Sequence, residues 1–191
     1  MKTLPFIIII SGPSGVGKGS IIKGLLQKKA DLKIAISATT RLPRPQEKNK
    51  RDYYFLEEHL FNEKIKNNEF LEWAEVHRHK YGTLKSEVDY YLNKGYDVIL
   101  EIDIQGALQV KKHGGNNIVS IFITPPSFQD LIERLHARNT EKQSDINARL
   151  KAAEKELNAI GEYDYIVINN DIEPAINDIL EIIENVKREI I

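Results

Sequence analysis

Ile7-Ile8-Ile9-Ile10-Ser11-Gly12-Pro13-Ser14-Gly15-Val16-Gly17-Lys18-Gly19-Ser20 begins as an apolar, β-branched run and passes directly into a glycine-rich loop. A helix-compatible stretch, Ser20 to Lys28, follows. Strand, loop and helix in this order make a phosphate cradle. Glycine has no Cβ, so backbone N–H groups can close around an oxyanion. The helix N-terminus adds partial positive charge and Lys18 adds a full one. The expected ligand is the β- and γ-phosphates of a nucleoside triphosphate. Gly12, Pro13, Ser14, Gly15, Val16, Gly17, Lys18, Gly19 and Ser20 are the candidate binding residues. The hydroxyl that usually follows the lysine is displaced: Gly19 stands there and Ser20 comes next. Ser20 is therefore only an indirect candidate for contact with a Mg²⁺ ion that accompanies the triphosphate.

The 191 residues suit one compact domain with one or two small insertions. Hydrophobic residues make up 41% and charged residues 29%, enough for a full core and a soluble surface. A net charge of −1 argues against a nucleic-acid partner. The absence of cysteine excludes a disulfide framework, a thiolate metal site and a cysteine nucleophile. The apolar run Leu4 to Ile10 is too short to cross a membrane and lacks a small-residue cleavage site. A cytoplasmic enzyme with no membrane partner is expected. The sequence does not distinguish a monomer from a homodimer.

Further apolar runs read as buried parallel strands: Phe6–Ile10, Lys33–Ser37, Val98–Ile102, Ile118–Ile123 and Tyr165–Ile168. Helical stretches separate most of them, at Ser20–Lys28, Leu84–Lys94, Ile104–Lys112, Ser127–Ala137, Ser144–Ile160 and Glu173–Glu189. The pattern predicts an α/β fold with a parallel five-stranded sheet and helices on both faces. Two stretches break the rhythm: a polar, proline-bearing one from Thr39 to about Tyr81, and a charged one from Ala137 to about Arg149. They predict a small mixed insertion and a lid.

Four groups outside the loop bear chemistry. Arg41 and Arg44 project from a stretch stiffened by Pro43 and Pro45. They suit a phosphate fork or, alternatively, a solvated basic loop. Phe70–Val76 alternates, placing Glu72 on one face with Phe70, Ala74 and Val76. A carboxylate there needs donors. The paired N1–H and amino group of guanine would supply them, and so would a structural salt bridge. Glu101 and Asp103 share one face at a strand end, placed to read base amino groups, to hold Mg²⁺ and its waters, or to cap the next helix. Arg134 and Arg138 share a helix face and Arg149 lies beyond them, a phosphate-charge cluster or an exposed surface. The five histidines show no metal-ligand spacing, and His77 and His79 are expected in a turn.

In combination these segments resemble the guanylate kinase family over essentially the whole chain. Ser11–Lys18 looks like its ATP loop, and Ser37–Arg44 like its GMP-phosphate segment. Asp52–Phe55, Asn68–Trp73, Tyr81-Gly82-Thr83, Asp103–Gly106 and Asn169–Asp171 continue the likeness in order. The resemblance implies Mg²⁺-dependent phosphoryl transfer from ATP to GMP, with dGMP a further candidate acceptor. It implies that Ser37, Arg41, Arg44, Tyr53 and Tyr81 hold the GMP phosphate and that Glu72, Thr83 and Glu101 read guanine. Lys18, Arg134, Arg138 and Arg149 would stabilise the transferring phosphoryl group. Asp103 would face the metal and its waters, and Asn169 would lie near adenine. Glu101 stands where the family often has Asp. The implied organisation is a core of residues 1–36, 84–136 and 150–191, a GMP-binding insertion at about 37–83 and a lid at about 137–149. A kinase for another nucleoside monophosphate and an inactive binding module are the competing expectations.

Overall fold

The structure is a computed structural model and describes residues 4–76, 78–113, 117–136 and 143–189. In chain order the elements are β1 (Ile7–Ser11), α1 (Lys18–Lys28), β2 (Leu32–Ile34), β3 (Ala38–Thr39), β4 (Tyr54–Phe55), α2 (Glu58–Lys66), β5 (Phe70–Val76) and β6 (His79–Leu84). Then come α3 (Lys85–Leu92), β7 (Asp97–Glu101), α4 (Ile104–His113), β8 (Ile118–Thr124), α5 (Phe128–His136), α6 (Gln143–Leu157), β9 (Tyr165–Ile168) and α7 (Ile172–Glu189). The parallel sheet runs β2-β7-β1-β8-β9. Its strands carry the β-branched runs read from the sequence. Ile8, Ile9, Ile10, Ile121, Phe122 and Ile123 are fully buried, as a sheet covered on both faces requires.

Two compact units divide the chain, one from 8–30 and 119–191, the other from 4–7 and 31–118. In the first, α1 buries Ile21, Ile22 and Leu25, and α7 buries Ala175, Ile176, Ile179 and Ile183 at helical spacing. Lys28 pairs with Glu173, and Lys29 with Glu184 at 2.7 Å, between these two helices. α5 and α6 pack through Leu131, Leu135, Ile146 and Ala153.

In the second unit β2 pairs in parallel with β7, Leu32 opposite Asp97. This unit also holds a four-stranded mixed sheet, ordered β4-β3-β6-β5, with α2 after its second strand in sequence. Its core is Ala38, Phe61 and Phe70, ringed by Tyr54, Leu56, Ile65 and Leu84. The Phe61 and Phe70 rings stack at 4.4 Å.

Three expectations are corrected. β2 ends at Ile34, short of Ser37: the Ile36 N–H turns away to the Glu87 carboxylate at 3.3 Å. His79 opens strand β6 opposite Val76 instead of lying in a turn, whereas His77 is outside the described residues. α1 starts at Lys18, two residues early, because Gly17 adopts φ +100° and ends the loop there. Of the expected lid, 137–142 lie outside the described residues, and 143–149 form the first turns of α6.

Phe61→Ala removes a ring that is fully buried in the small sheet's core. The expected cost is about 3–5 kcal/mol, read from denaturant unfolding monitored on the whole chain. A loss below about 1 kcal/mol would mean the ring is not packed as described.

Candidate active site

The first unit carries the phosphate loop. Gly12, Gly15 and Gly17 all have positive φ, which a side chain would resist. Nothing caps the N-terminus of α1 through a side chain, and no acidic residue lies in its first turn. The helix therefore presents its positive end to an anion. The Lys18 ammonium folds over the loop, donating to the Gly12 carbonyl at 2.5 Å and the Pro13 carbonyl at 3.3 Å. Asn169 braces the loop from behind: its buried amide donates to the Val16 carbonyl at 2.6 Å. A Cβ on Gly17 would meet that amide nitrogen at 2.6 Å. This contact was not legible in the sequence, where Asn169 was assigned only to the adenine region. The Asn169 carbonyl oxygen is buried and unbonded.

Arg134 reaches the same segment, donating to the Asn170 carbonyl at 3.2 Å. Arg149 is half-buried on α6. Arg138 falls outside the described residues. Ser20 is exposed on the first turn of α1. Loop, Asn169 and Arg134 thus come together, while Arg149 is linked to them through the packing of α6 on α5.

The second unit holds a cavity of about 190 Å³. Ser37, Tyr53, Glu72, Tyr81, Glu101 and Asp103 line it, so six of the residues singled out in the sequence converge here. Ala74, Val76, Gly82 and Ile102 supply its apolar walls. Alternation along β5 sets this geometry: Phe70, Glu72 and Ala74 are buried, whereas Trp73 and Glu75 face out.

Glu72 is 4% exposed. Burial drives its carboxyl up to about 7, and the nearby Asp103 charge adds to the rise. Hydrogen bonds from the Thr83 hydroxyl and backbone, directly across the strand pair, pull the other way. The carboxyl rests on the first turn of α4, where a Cβ on Gly106 would lie 2.4 Å from Glu72 Oε2. Two bonds lock β5 to this helix: Trp73 N–H to Gln109 Oε1 at 3.2 Å, and Gln109 Nε2–H to the Trp73 carbonyl at 2.8 Å. Asp103 both lines the cavity and caps α4, its Oδ1 accepting the Gly106 N–H at 2.9 Å. Burial also raises the Tyr53 hydroxyl, helped by the Glu101 charge.

The Arg41 guanidinium lies 5.4 Å from the Tyr53 ring. Arg44 is exposed. Glu47 was missed: it clasps Arg41 through two bonds of 2.9 and 3.0 Å. An acid six residues beyond an arginine in a proline-bearing loop carries no sequence signal. Gly106 was read only as part of a motif, and its close approach to Glu72 appears only in three dimensions.

Fold and loop together define a phosphate-loop α/β protein of the nucleotide phosphotransferase class. The sequence pattern of the guanylate kinase family matches residues 5–186, and the chain belongs to that family. It is 44% identical over 184 residues to a guanylate kinase of Thermotoga maritima, covering 96% of this chain and 88% of the relative. It is 48% identical over 183 residues to one of Caldanaerobacter subterraneus subsp. tengcongensis, with coverages of 96% and 88%. A crystal structure of guanylate kinase from Anaplasma phagocytophilum superposes with a TM-score of 0.81 at 32% identity, covering 97% of this chain and 88% of that one.

Gly106→Ala places a methyl group where Glu72 Oε2 lies. The carboxyl is expected to leave its berth, its pKa falling from about 7 toward the ordinary 4.5, read by NMR titration of the Glu72 side-chain carbon. A titration still centred near 7 would mean the berth tolerates the methyl group.

Proposed function

We infer that this chain transfers the γ-phosphoryl group of ATP to GMP, giving ADP and GDP. One observation carries the choice of acceptor: a buried carboxyl, Glu72, bonded by Thr83 in the cavity of the second unit. Guanine presents N1–H and an exocyclic amine side by side, two donors for one carboxylate. Adenine has an acceptor at N1, which a carboxylate repels. Glu101 adds a second acid at the cavity rim. Ser37, Arg41, Arg44, Tyr53 and Tyr81 bind the acceptor phosphate, with Arg41 contributing its planar fork.

The loop from Gly12 to Ser20 takes the ATP phosphates, with Lys18 as the charged member and Asn169 as its brace. Arg134, Arg138 and Arg149 supply charge to the migrating group. An acceptor phosphate oxygen attacks the γ-phosphorus in line. The new O–P bond forms as the bond to the ADP oxygen breaks, and ADP carries away the electron pair. Little covalent chemistry falls to the protein beyond positioning and charge. The residues at about 37–83 serve as the acceptor-binding insertion.

Among the described residues no cluster of three or more His, Cys, Asp or Glu forms a metal cage. That fits Mg²⁺, which binds largely through substrate phosphates and water with one or two carboxylates. Ser20 and Asp103 are the side chains that would face it. When bound, it would neutralise charge on the β- and γ-phosphate oxygens. Among the described residues no helix is long and apolar enough to cross a membrane. The cytoplasmic placement rests on the proposed substrates, ATP and GMP, which occur there.

The reading is tested by ADP release with ATP and a panel of GMP, dGMP, AMP, CMP and UMP. GMP is expected to be the best acceptor. Efficient turnover of AMP with GMP left untouched would overturn the assignment.

The Glu72 carboxyl yields a pH prediction. Only its ionised form accepts both guanine donors, and protonation replaces one acceptor by a donor. Binding is therefore complete above about 7 and weakens as pH falls through it. KM for GMP should climb toward about tenfold per pH unit below that point. KM for ATP should lack this step. Glu72→Gln should raise KM for GMP and abolish the step, leaving only the phosphate's own ionisation at about pH 6.

A further inference from the structure

The stretch from Arg41 to Glu47 is more ordered than a solvated basic loop needs to be. Arg41 Nη1 donates to Glu47 Oε2 at 3.0 Å and Nη2 donates to Oε1 at 2.9 Å, a two-bond fork. Nη1 donates again, to the Leu42 carbonyl at 2.8 Å. The pair is shielded, with side chains only 16% and 18% exposed. Tyr53 and Phe55 flank the guanidinium at 5.4 and 5.8 Å. Glu47 Oε2 also accepts the Arg44 N–H at 2.8 Å, and the Glu47 N–H closes the turn onto the Arg44 carbonyl at 3.0 Å. One carboxylate thus ties down both arginine positions of the segment.

A guanidinium has five N–H groups. Three are taken by Glu47 and Leu42. Nε–H and the second Nη2–H remain on the side edge. Tyr81 and Tyr53 both line the cavity that holds Glu72. We propose that Glu47 is a positioning residue for the acceptor phosphate: it grips the terminal edge of Arg41 and thereby turns the side edge toward the phosphate of a nucleotide whose base sits by Glu72. This rests on the GMP-kinase reading above. Glu47 never touches the nucleotide; it acts through Arg41 and the Arg44 backbone. A carboxylate in this place could instead act as a stand-in anion that the phosphate must displace. The turn that Glu47 closes on Arg44 makes it part of the loop's frame, and the donor count leaves room for both anions.

The two roles predict opposite signs. Binding of GMP and of guanosine is measured calorimetrically on wild type, Glu47→Gln and Glu47→Asp, with KM and kcat for both substrates. Expected for Glu47→Gln is GMP binding weakened by about tenfold or more, with guanosine binding and the KM for ATP unchanged and kcat little altered. Glu47→Asp keeps the charge but shortens the reach, and is expected to fall between. In an Arg41→Ala background, Glu47→Gln should cost clearly less than in wild type, since only the hold on the Arg44 backbone is left to lose. Tighter GMP binding in Glu47→Gln would identify a displaced anion and overturn the proposal. Equal losses for GMP and guanosine would reduce Glu47 to general loop structure and also overturn it, as would no change at all. Failure of the wild type to bind GMP would instead sink the underlying functional reading.

Discussion

Glu72 is a carboxylate residue only 4% exposed, held out of water against its hydration, and the cavity of the second unit takes its character from that cost. Glu72 receives hydrogen bonds from Thr83 but not enough to bring its pKa back to the ordinary range. The remaining deficit leaves room for donors from a ligand, and the function proposed above supplies two on one edge. Gly106 allows the carboxyl to lie on the first turn of α4, and the Gln109 amide keeps β5 and α4 in register. Asp103, capping the same helix turn, adds a like charge that raises the Glu72 carboxyl further. A ligand edge with two N–H groups offsets this; a water molecule would offset it less completely.

The phosphate loop solves the opposite problem. It gathers positive charge from a helix N-terminus and a lysine. The N-terminus of α1 has no side-chain cap and no acidic first turn, and Lys18 satisfies itself on the loop's own carbonyls. Those carbonyl bonds are weaker claims on an ammonium than a phosphate would make. Arg41 is arranged differently, for its anion is already present as Glu47. Lys18 reaches the carbonyls of its own loop, whereas Arg41 is held by a carboxylate that leaves it some donors.

Much of this was legible from the chain. The glycine loop between a β-branched run and a helix has few other uses, and alternation along Phe70–Val76 by itself puts Glu72 on the face that is buried. Open alternatives at Glu101 and Asp103 turned out to overlap: Asp103 caps a helix and lines the cavity together. Less readable were contacts between residues far apart in sequence. The Asn169 brace on Val16 spans 153 positions. The early end of β2 depends on Glu87, 51 residues on from Ile36.

The amino-acid order alone determined the periodicities and the residue types. These are local properties, set by side-chain spacing along a strand or helix and by the backbone freedom of glycine. They established the alternating α/β architecture and marked out the glycine loop and the acids and arginines proposed for the site. Only the tertiary structure decided which of these groups are desolvated and which are paired. That Glu72 is driven up to about 7 while Glu47 is held below the usual range follows from burial against α4 in one case and from the Arg41 fork in the other. Solvent exclusion and the placing of a partner depend on chain segments that fold back from a distance, and no short window of sequence contains them.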